Sequence, residues 1–182
     1  SQEIVAETYR LGAKNAYVIG GTVALPAEVE SDLKQINVES TRIAGENAWD
    51  TSVKCAKAVA SFGNKAGRDV IIATSVNFQD ALSISGFAFK YGVPIFLTDA
   101  EGKLPSEAND TIMELGGTVY VAGGTVVVPR TTAEVAYGTR VQRIWGEDGY
   151  DTSNQIANYM LDNGYLDNKA VCIASGDLGA KG

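Results

Sequence analysis

Three short segments determine the fold: VIIAT at Val70–Thr74, PIFLT at residues 94–98, and VYVA at Val119–Ala122. Each segment is short and rich in β-branched or aromatic residues. None shows the alternation of apolar and polar residues found in a strand with one solvent-facing side. Parallel strands that are buried on both faces have this composition. We therefore predict that the three segments are neighbouring parallel strands of one sheet.

Four amphipathic segments with apolar residues at helical spacing lie before or between these strands. They are residues 26–36, 50–62, 81–91 and 105–115. We predict Asp50 and Asp80 as N-caps, and Gly92 and Gly116 as helix ends. Strands alternating with helices of this length predict an α/β fold, a Rossmann-like parallel sheet with helices on both faces.

Three pairs of segments about 100 residues apart are nearly identical. YVIGGTVALP at 17–26 matches YVAGGTVVVP at 120–129. RIAGENAWDTS at 42–52 matches RIWGEDGYDTS at 143–153, and VIIAT at 70–74 matches VCIAS at 171–175. Self-similarity at a fixed period is typical of tandem repeats. We predict the end of one repeat at 1–40, a complete repeat at 41–141 and the start of another at 142–182.

Composition excludes several functional classes. The chain has no histidine, which is the commonest general base and metal ligand, and its net charge of -7 disfavours nucleic-acid binding. No apolar segment reaches the roughly 20 residues of a membrane-spanning helix. We predict no catalytic residue, no metal and no cofactor.

Cys55 aligns with Ile156, and Cys172 with Ile71, so both cysteines are predicted to be free and buried.

Candidate binding residues follow the predicted strands, because ligands of open parallel sheets bind at the carboxyl ends of the strands. The predicted ligand-binding residues are Arg42, Asn77, Asp80, Thr98, Asp99, Gly123, Gly124 and Thr125. Two of them have alternative roles. Asp80 could cap a helix as well as bind, and Arg42 could tie strand to helix instead of clamping an anion. The GGT turns lack the glycine fingerprint of nucleotide sites.

Four motifs resemble the cell wall binding repeat 2 family in order and spacing. They are RIAGENAWDTS at 42–52, ATSVNFQDALS at 73–83, GVPIFLTD at 92–99 and VYVAGG at 119–124. The family's recurring positions fall on Arg42, Gly45, Thr51, Asp80, Ala81, Leu82, Pro94, Leu97, Gly123 and Gly124. Where the family has an arginine before the aromatic residue of its first motif, this chain has Ala48 and Gly149.

The resemblance implies a secreted module at the surface of a Gram-positive cell, packed with neighbouring repeats in threes. It also implies non-covalent binding of an anionic secondary wall polymer, such as a teichoic-type glycan. We therefore predict a non-catalytic anchoring module, with possible homo-oligomers. Two alternatives are a nucleotide- or small-ligand-binding enzyme domain, and a structural spacer in a surface layer.

Overall fold

The computed structural model describes residues 2–61, 67–167, 169 and 173. Helices and strands alternate along most of this length. In chain order they are α1 Gln2–Arg10, β1 Asn15–Ile19, α2 Glu28–Gln35, β2 Glu39–Ile43, α3 Ala48–Ser61, β3 Val70–Thr74, α4 Gln79–Tyr91, β4 Ile95–Thr98, α5 Ser106–Leu115, β5 Val119–Ala122, α6 Glu134–Tyr137, β6 Val141–Ile144 and α7 Gly149–Asp162.

The strands form two parallel sheets in the described part of the chain. The larger sheet has the order β4-β3-β5-β6, and the smaller one pairs β1 with β2. The prediction that β3, β4 and β5 are parallel neighbours is confirmed. β3 and β5 are buried on both faces, as expected, but β4 is not, because it is an edge strand and Ile95 and Leu97 are only partly buried. The strand at 94–98 begins one residue later than predicted, at Ile95.

Helices cover both faces of the larger sheet, so the predicted mixed α/β class is also confirmed. On one face Ile72, Phe96 and Val121 pack with buried residues of α3 and α5. On the other face Ile71 and Tyr120 pack with α4 and α7. Successive side chains of a strand point to opposite faces of the sheet. A strand whose residues are all apolar therefore contributes to the two separate cores on either side of the sheet.

The predicted helix ends are confirmed, but the predicted caps are wrong. Gly92 and Gly116 follow α4 and α5 with φ of 64° and 68°, in the left-handed region that glycine tolerates. α3 begins before Asp50, and Asn47 Oδ1 accepts the Asp50 backbone N–H at 2.9 Å. α4 begins at Gln79, and within the described ranges no side chain caps it. The real cap of α3 therefore lies three residues before the predicted one.

A close approach of strand and helix explains one motif that occurs twice. After β6, a Cβ on Gly146 would lie 2.5 Å from the backbone carbonyl carbon of Asp151, at the start of α7. The hydroxyl of Thr152 accepts the Gly146 N–H at 3.0 Å, as Thr51 accepts from Gly45 at 2.9 Å. The glycine and the threonine thus fix each strand against the following helix.

Helix α3 connects the two sheets. It follows β2 of the smaller sheet, yet it packs against β4 of the larger one, where Ser52 Oγ accepts the Leu97 N–H at 2.9 Å. The predicted repeat boundaries near 40 and 141 lie within β2 and β6, and β6 completes the sheet that contains β5.

Cys55 is free, as predicted, but it is half-buried instead of buried. Its counterpart Ile156 is buried in the core that α7 forms with α4. Burial raises the pKa of the Cys55 thiol, which disfavours the reactive thiolate. Cys172 lies outside the described residues.

Candidate functional site

The carboxyl ends of β3, β5 and β6 lie side by side. Ala73 pairs with Ala122, and Ala122 pairs with Ile144, so the loops that follow these three strands begin at one edge of the sheet. Asn77, Asp80, Gly123, Gly124 and Thr125 all follow β3 or β5. The structure therefore brings these five predicted binding residues to one edge.

Asp80 is the most unusual residue at this edge. Its side chain lies in the first turn of α4, and the residue is only 6% exposed. In the described part of the chain its carboxylate has neither a hydrogen bond nor an ion pair, and burial raises its pKa. A Cβ on Gly123 would lie 2.7 Å from Asp80 Oδ2, so the glycine leaves room for this carboxylate.

Asn77 provides a second acceptor without a partner. Its Oδ1 is buried and has no hydrogen bond to any residue that the structure describes. Buried polar atoms in folded proteins are almost always hydrogen-bonded, so an exception needs an explanation. Asn77 and Asp80 both offer oxygen acceptors, and the edge is therefore suited to a ligand that donates hydrogen bonds, such as a hydroxyl group.

Exposed apolar side chains lie in the segments that follow β3, β5 and β6. We call Val76, Phe78, Val126, Trp145 and Tyr150 the carboxyl-edge patch. Phe78 is 42% exposed and Trp145 56%, and the Trp145 ring lies 3.8 Å from the Cβ position of Gly124. These residues were not predicted from the sequence. The available signal was an aromatic residue outside the predicted strands, between β3 and α4 at Phe78 and directly after β6 at Trp145.

Two other predicted site residues serve the loop after β4. Thr98 is fully buried, and its hydroxyl donates to the Asp99 carbonyl at 3.1 Å. Asp99 Oδ1 accepts the backbone N–H groups of Glu101 and Lys103, at 3.0 and 2.7 Å. These bonds close a tight turn, so the Asp99 side chain already has a structural role.

Arg42 lies on β2, in the smaller sheet, away from the other predicted residues. It pairs with Glu30 and donates to the Gly20 and Leu25 carbonyls. Arg143 repeats this arrangement with Glu134 and the Gly123 carbonyl, at 2.6 and 2.9 Å. Each arginine ties a strand to the turn and helix before it, which is the structural alternative considered above. Its partner is a glutamate of that helix and not the acidic residue near the next helix start.

A substitution at Asp80 tests whether its carboxylate is unpaired. An acid whose pKa is raised by folding stabilises the protein most below its ordinary value of 3.8, and this contribution is lost as the pH rises through the raised value. We expect Asp80→Asn to raise the free energy of unfolding by about 1 kcal/mol at pH 7. The gain should shrink towards zero in acid. Urea unfolding at several pH values measures it, and a loss of stability at pH 7 would reveal a partner.

Comparison with known proteins identifies the family. The family described as Cell wall binding domain 2 (CWB2) matches residues 42–133, half of the chain. The chain belongs to this family. The family match includes both Asn77 and Asp80, and it ends before β6 and Trp145.

Three similar proteins extend the CWB2 match. The chain is 32% identical over 149 residues to an amidase enhancer of Bacillus subtilis, and 28% over 132 residues to the N-acetylmuramoyl-L-alanine amidase LytC of the same organism. These matches cover 81% and 72% of the chain, but only 19% and 25% of the relatives. Cwp8 from Clostridium difficile has a TM-score of 0.74 and 26% identity, over 87% of this chain and 27% of Cwp8.

No helix in the described ranges is both long and apolar enough to cross a membrane. The same ranges contain no group of three or more acidic or cysteine side chains that could hold a metal ion.

Proposed function

We propose that this chain is a non-catalytic module that anchors a larger protein at the cell surface by binding a glycan of the wall. The observation that supports this most directly is the carboxyl edge. It combines the unpartnered acceptors of Asn77 and Asp80 with the exposed aromatic rings of Phe78 and Trp145. Sugar-binding sites use this combination, because rings pack on the apolar face of a sugar while acceptors take its hydroxyl hydrogens.

The ligand that we propose is an anionic secondary wall polymer. The protein itself carries a net charge of -7, so long-range attraction to such a polymer is unfavourable. Binding at the carboxyl edge would therefore use sugar hydroxyl groups and apolar ring faces, with negative groups of the polymer directed away from Asp80. Each module would bind weakly, and several modules in tandem would add avidity.

We further propose that the chain comes from a Rossmann-like tandem-repeat protein with boundaries near 40 and 141. The pairing of β1 with β2 supports this, because β5 and β6 pair in the same way around equivalent segments. The secreted, Gram-positive setting is part of the same proposal. It is supported by relatives in Bacillus subtilis and Clostridium difficile.

Asn77→Ala is the cleanest test of the proposed binding edge. We expect about tenfold weaker retention of the full-length protein on purified cell walls, since one uncompensated polar contact is lost. Asn158→Ala, an exposed asparagine on α7, is the matched control and should bind like wild type. Equal retention of both variants would refute the carboxyl edge as the binding surface.

Self-association is a separate prediction. In β1 the side chains of Tyr17 and Ile19 are exposed, whereas their counterparts Tyr120 and Ala122 are buried in the larger sheet. Uncovered apolar surface of this kind favours association. We expect the 182-residue chain to form a dimer or trimer at high concentration. Light scattering measures the mass, and a monomer at every concentration would contradict the prediction.

A further inference from the structure

Strand β1 has one open edge. It pairs with β2 along one side, and within the described ranges no strand pairs along its other side. Its equivalent in the larger sheet, β5, pairs on both sides, with β3 and with β6. Backbone N–H and C=O groups along the edge of a sheet are a template for a further strand. β1 therefore has room for one more strand, in the place that β3 takes beside β5.

The register of the two sheets shows which strand would fit. Tyr17 pairs with Thr41 in β1–β2, and the equivalent residues Tyr120 and Gln142 pair in β5–β6. The smaller sheet is thus built like one side of the larger sheet. The strand that fits its open edge is one with the sequence of β3.

Such a sequence occurs a second time in the chain, as VCIAS at 171–175. Ile173 is described by the structure, whereas residues 170–172 and 174–182 lie outside the described residues. Ile173 is 95% exposed, but its equivalent in β3, Ile72, is fully buried. The segment has the composition of a strand buried on both faces, and the exposure of Ile173 indicates that this strand lacks its sheet.

β1 shows the same reversal of burial. Tyr17 and Ile19 are exposed, whereas the equivalent Tyr120 and Ala122 are buried between β3 and β6. Neither β1 nor the segment at 171–175 contains a charged residue. Two copies with a net charge of -7 can therefore approach at this point without bringing like charges into direct contact.

The larger sheet lies between the two complementary segments of one chain. Helix α3, which comes from the smaller sheet, packs on one face of the larger sheet. Helix α7, which leads to residues 171–175, packs on the opposite face. This arrangement favours pairing between different copies over pairing within one chain.

We propose that residues 171–175 of one copy add as a parallel strand to the open edge of β1 in a second copy. The register follows from the larger sheet, where Ile71 pairs with Tyr120. Cys172 of one copy therefore pairs with Tyr17 of the other. Such a contact is head-to-tail, so it can continue into rings or chains of copies. The inference rests on the proposed tandem repeat and is independent of glycan binding at the carboxyl edge.

The native Cys172 allows this register to be tested by disulfide formation. Neighbouring strands lie about 4.8 Å apart, and a disulfide joins Cα atoms that are roughly 4.4–6.8 Å apart. Tyr17→Cys, in a Cys55→Ser background, should therefore form a disulfide with Cys172 of a second copy when the concentrated chain is treated with oxidised glutathione. Non-reducing electrophoresis should show dimers and larger species that disappear on reduction.

Ile19→Cys in the same background is the matched control. Ile19 is as exposed as Tyr17 and lies two residues further along the same face of β1. In the proposed register it is a diagonal neighbour of Cys172, about 7–8 Å away, which is too far for a disulfide. We expect about tenfold less crosslinked product than with Tyr17→Cys.

A second variant tests the association without a disulfide. Ile173→Asp places a charge in the middle of the added strand, and it should weaken self-association at least about tenfold because an unpaired charge would be buried. Ile173 is exposed, so the single copy should fold normally. Val135→Asp, at an exposed position on α6, is the control and should associate like the wild type. Light scattering over a concentration series measures both.

The proposal is wrong if the Tyr17→Cys crosslink is absent or forms within single chains. It is also wrong if Ile19→Cys crosslinks equally well, which would indicate random collision, or if Ile173→Asp associates like the wild type. Retention on cell walls is measured separately, so a failed crosslink does not count against the proposed glycan binding.

Discussion

Replacing Arg143 with methionine is expected to lower the free energy of unfolding by about 3 kcal/mol, because the substitution breaks a largely buried ion pair. The Arg143 side chain is 9% exposed and that of Glu134 is 30% exposed. The loss also removes the hydrogen bond to the Gly123 carbonyl at 2.9 Å. Urea unfolding of the wild type and the variant measures the difference.

Arg10→Met is the matched control. Arg10 forms a similar pair with Glu7, but the two side chains are 68% and 54% exposed, and exposed pairs add little to stability because water and salt screen them. If Arg143→Met costs no more than Arg10→Met, the proposed structural role of Arg143 is wrong.

The pH dependence of the Arg143 effect has a definite sign. Arg143 lowers the pKa of Glu134 in the folded protein below its ordinary value of 4.5. The pair therefore contributes fully above pH 4.5, and its contribution is lost as the pH falls through the lowered value. The difference between the wild type and Arg143→Met should shrink correspondingly in acid.

Gly146→Ala is expected to destabilise the chain by about 3 kcal/mol, near the upper end for an overpacked site. The new Cβ would lie 2.5 Å from the Asp151 carbonyl carbon, and backbone at a helix start cannot move aside cheaply. The hydrogen bond from Gly146 N to the Thr152 hydroxyl would lengthen as β6 and α7 separate. Thermal unfolding followed by circular dichroism measures the effect.

Gly86→Ala controls for the general effect of replacing a glycine. Gly86 lies within α4, and a Cβ there would meet nothing within 4 Å. Alanine is the better helix former by up to about 1 kcal/mol, so this variant should gain stability. If both variants change stability in the same direction, the steric account of Gly146 fails.

The strands could be predicted from sequence because burial on both faces leaves a simple signature. Apart from Thr74 at the end of VIIAT, neither VIIAT nor VYVA has a strongly polar residue on either face of its strand. Both strands are fully buried in the structure. The helix ends were equally accessible, since a glycine at the left-handed position marks them. The cap of α3 could not be predicted, because Asn47 and Asp50 are both good N-cap residues and only the structure shows that Asn47 Oδ1 accepts the Asp50 N–H.

The candidate site was predictable only in part. The position of Asn77, Asp80 and the glycine turn follows from strand direction alone. Phe78 and Trp145 were missed because apolar residues in a sequence are normally assigned to the core, and only solvent exposure reveals that they are outside it.

The contact between Ser52 and Leu97 has a consequence for aggregation. β4 is an edge strand, and edge strands with free backbone groups recruit strands from other molecules. Here α3 packs against β4, and the Ser52 hydroxyl accepts a hydrogen bond from the outward-facing Leu97 N–H of the strand. Growth of the larger sheet by strand addition is thereby blocked on this side. A Ser52→Ala variant would leave that N–H unpaired and the edge less protected against fibril formation.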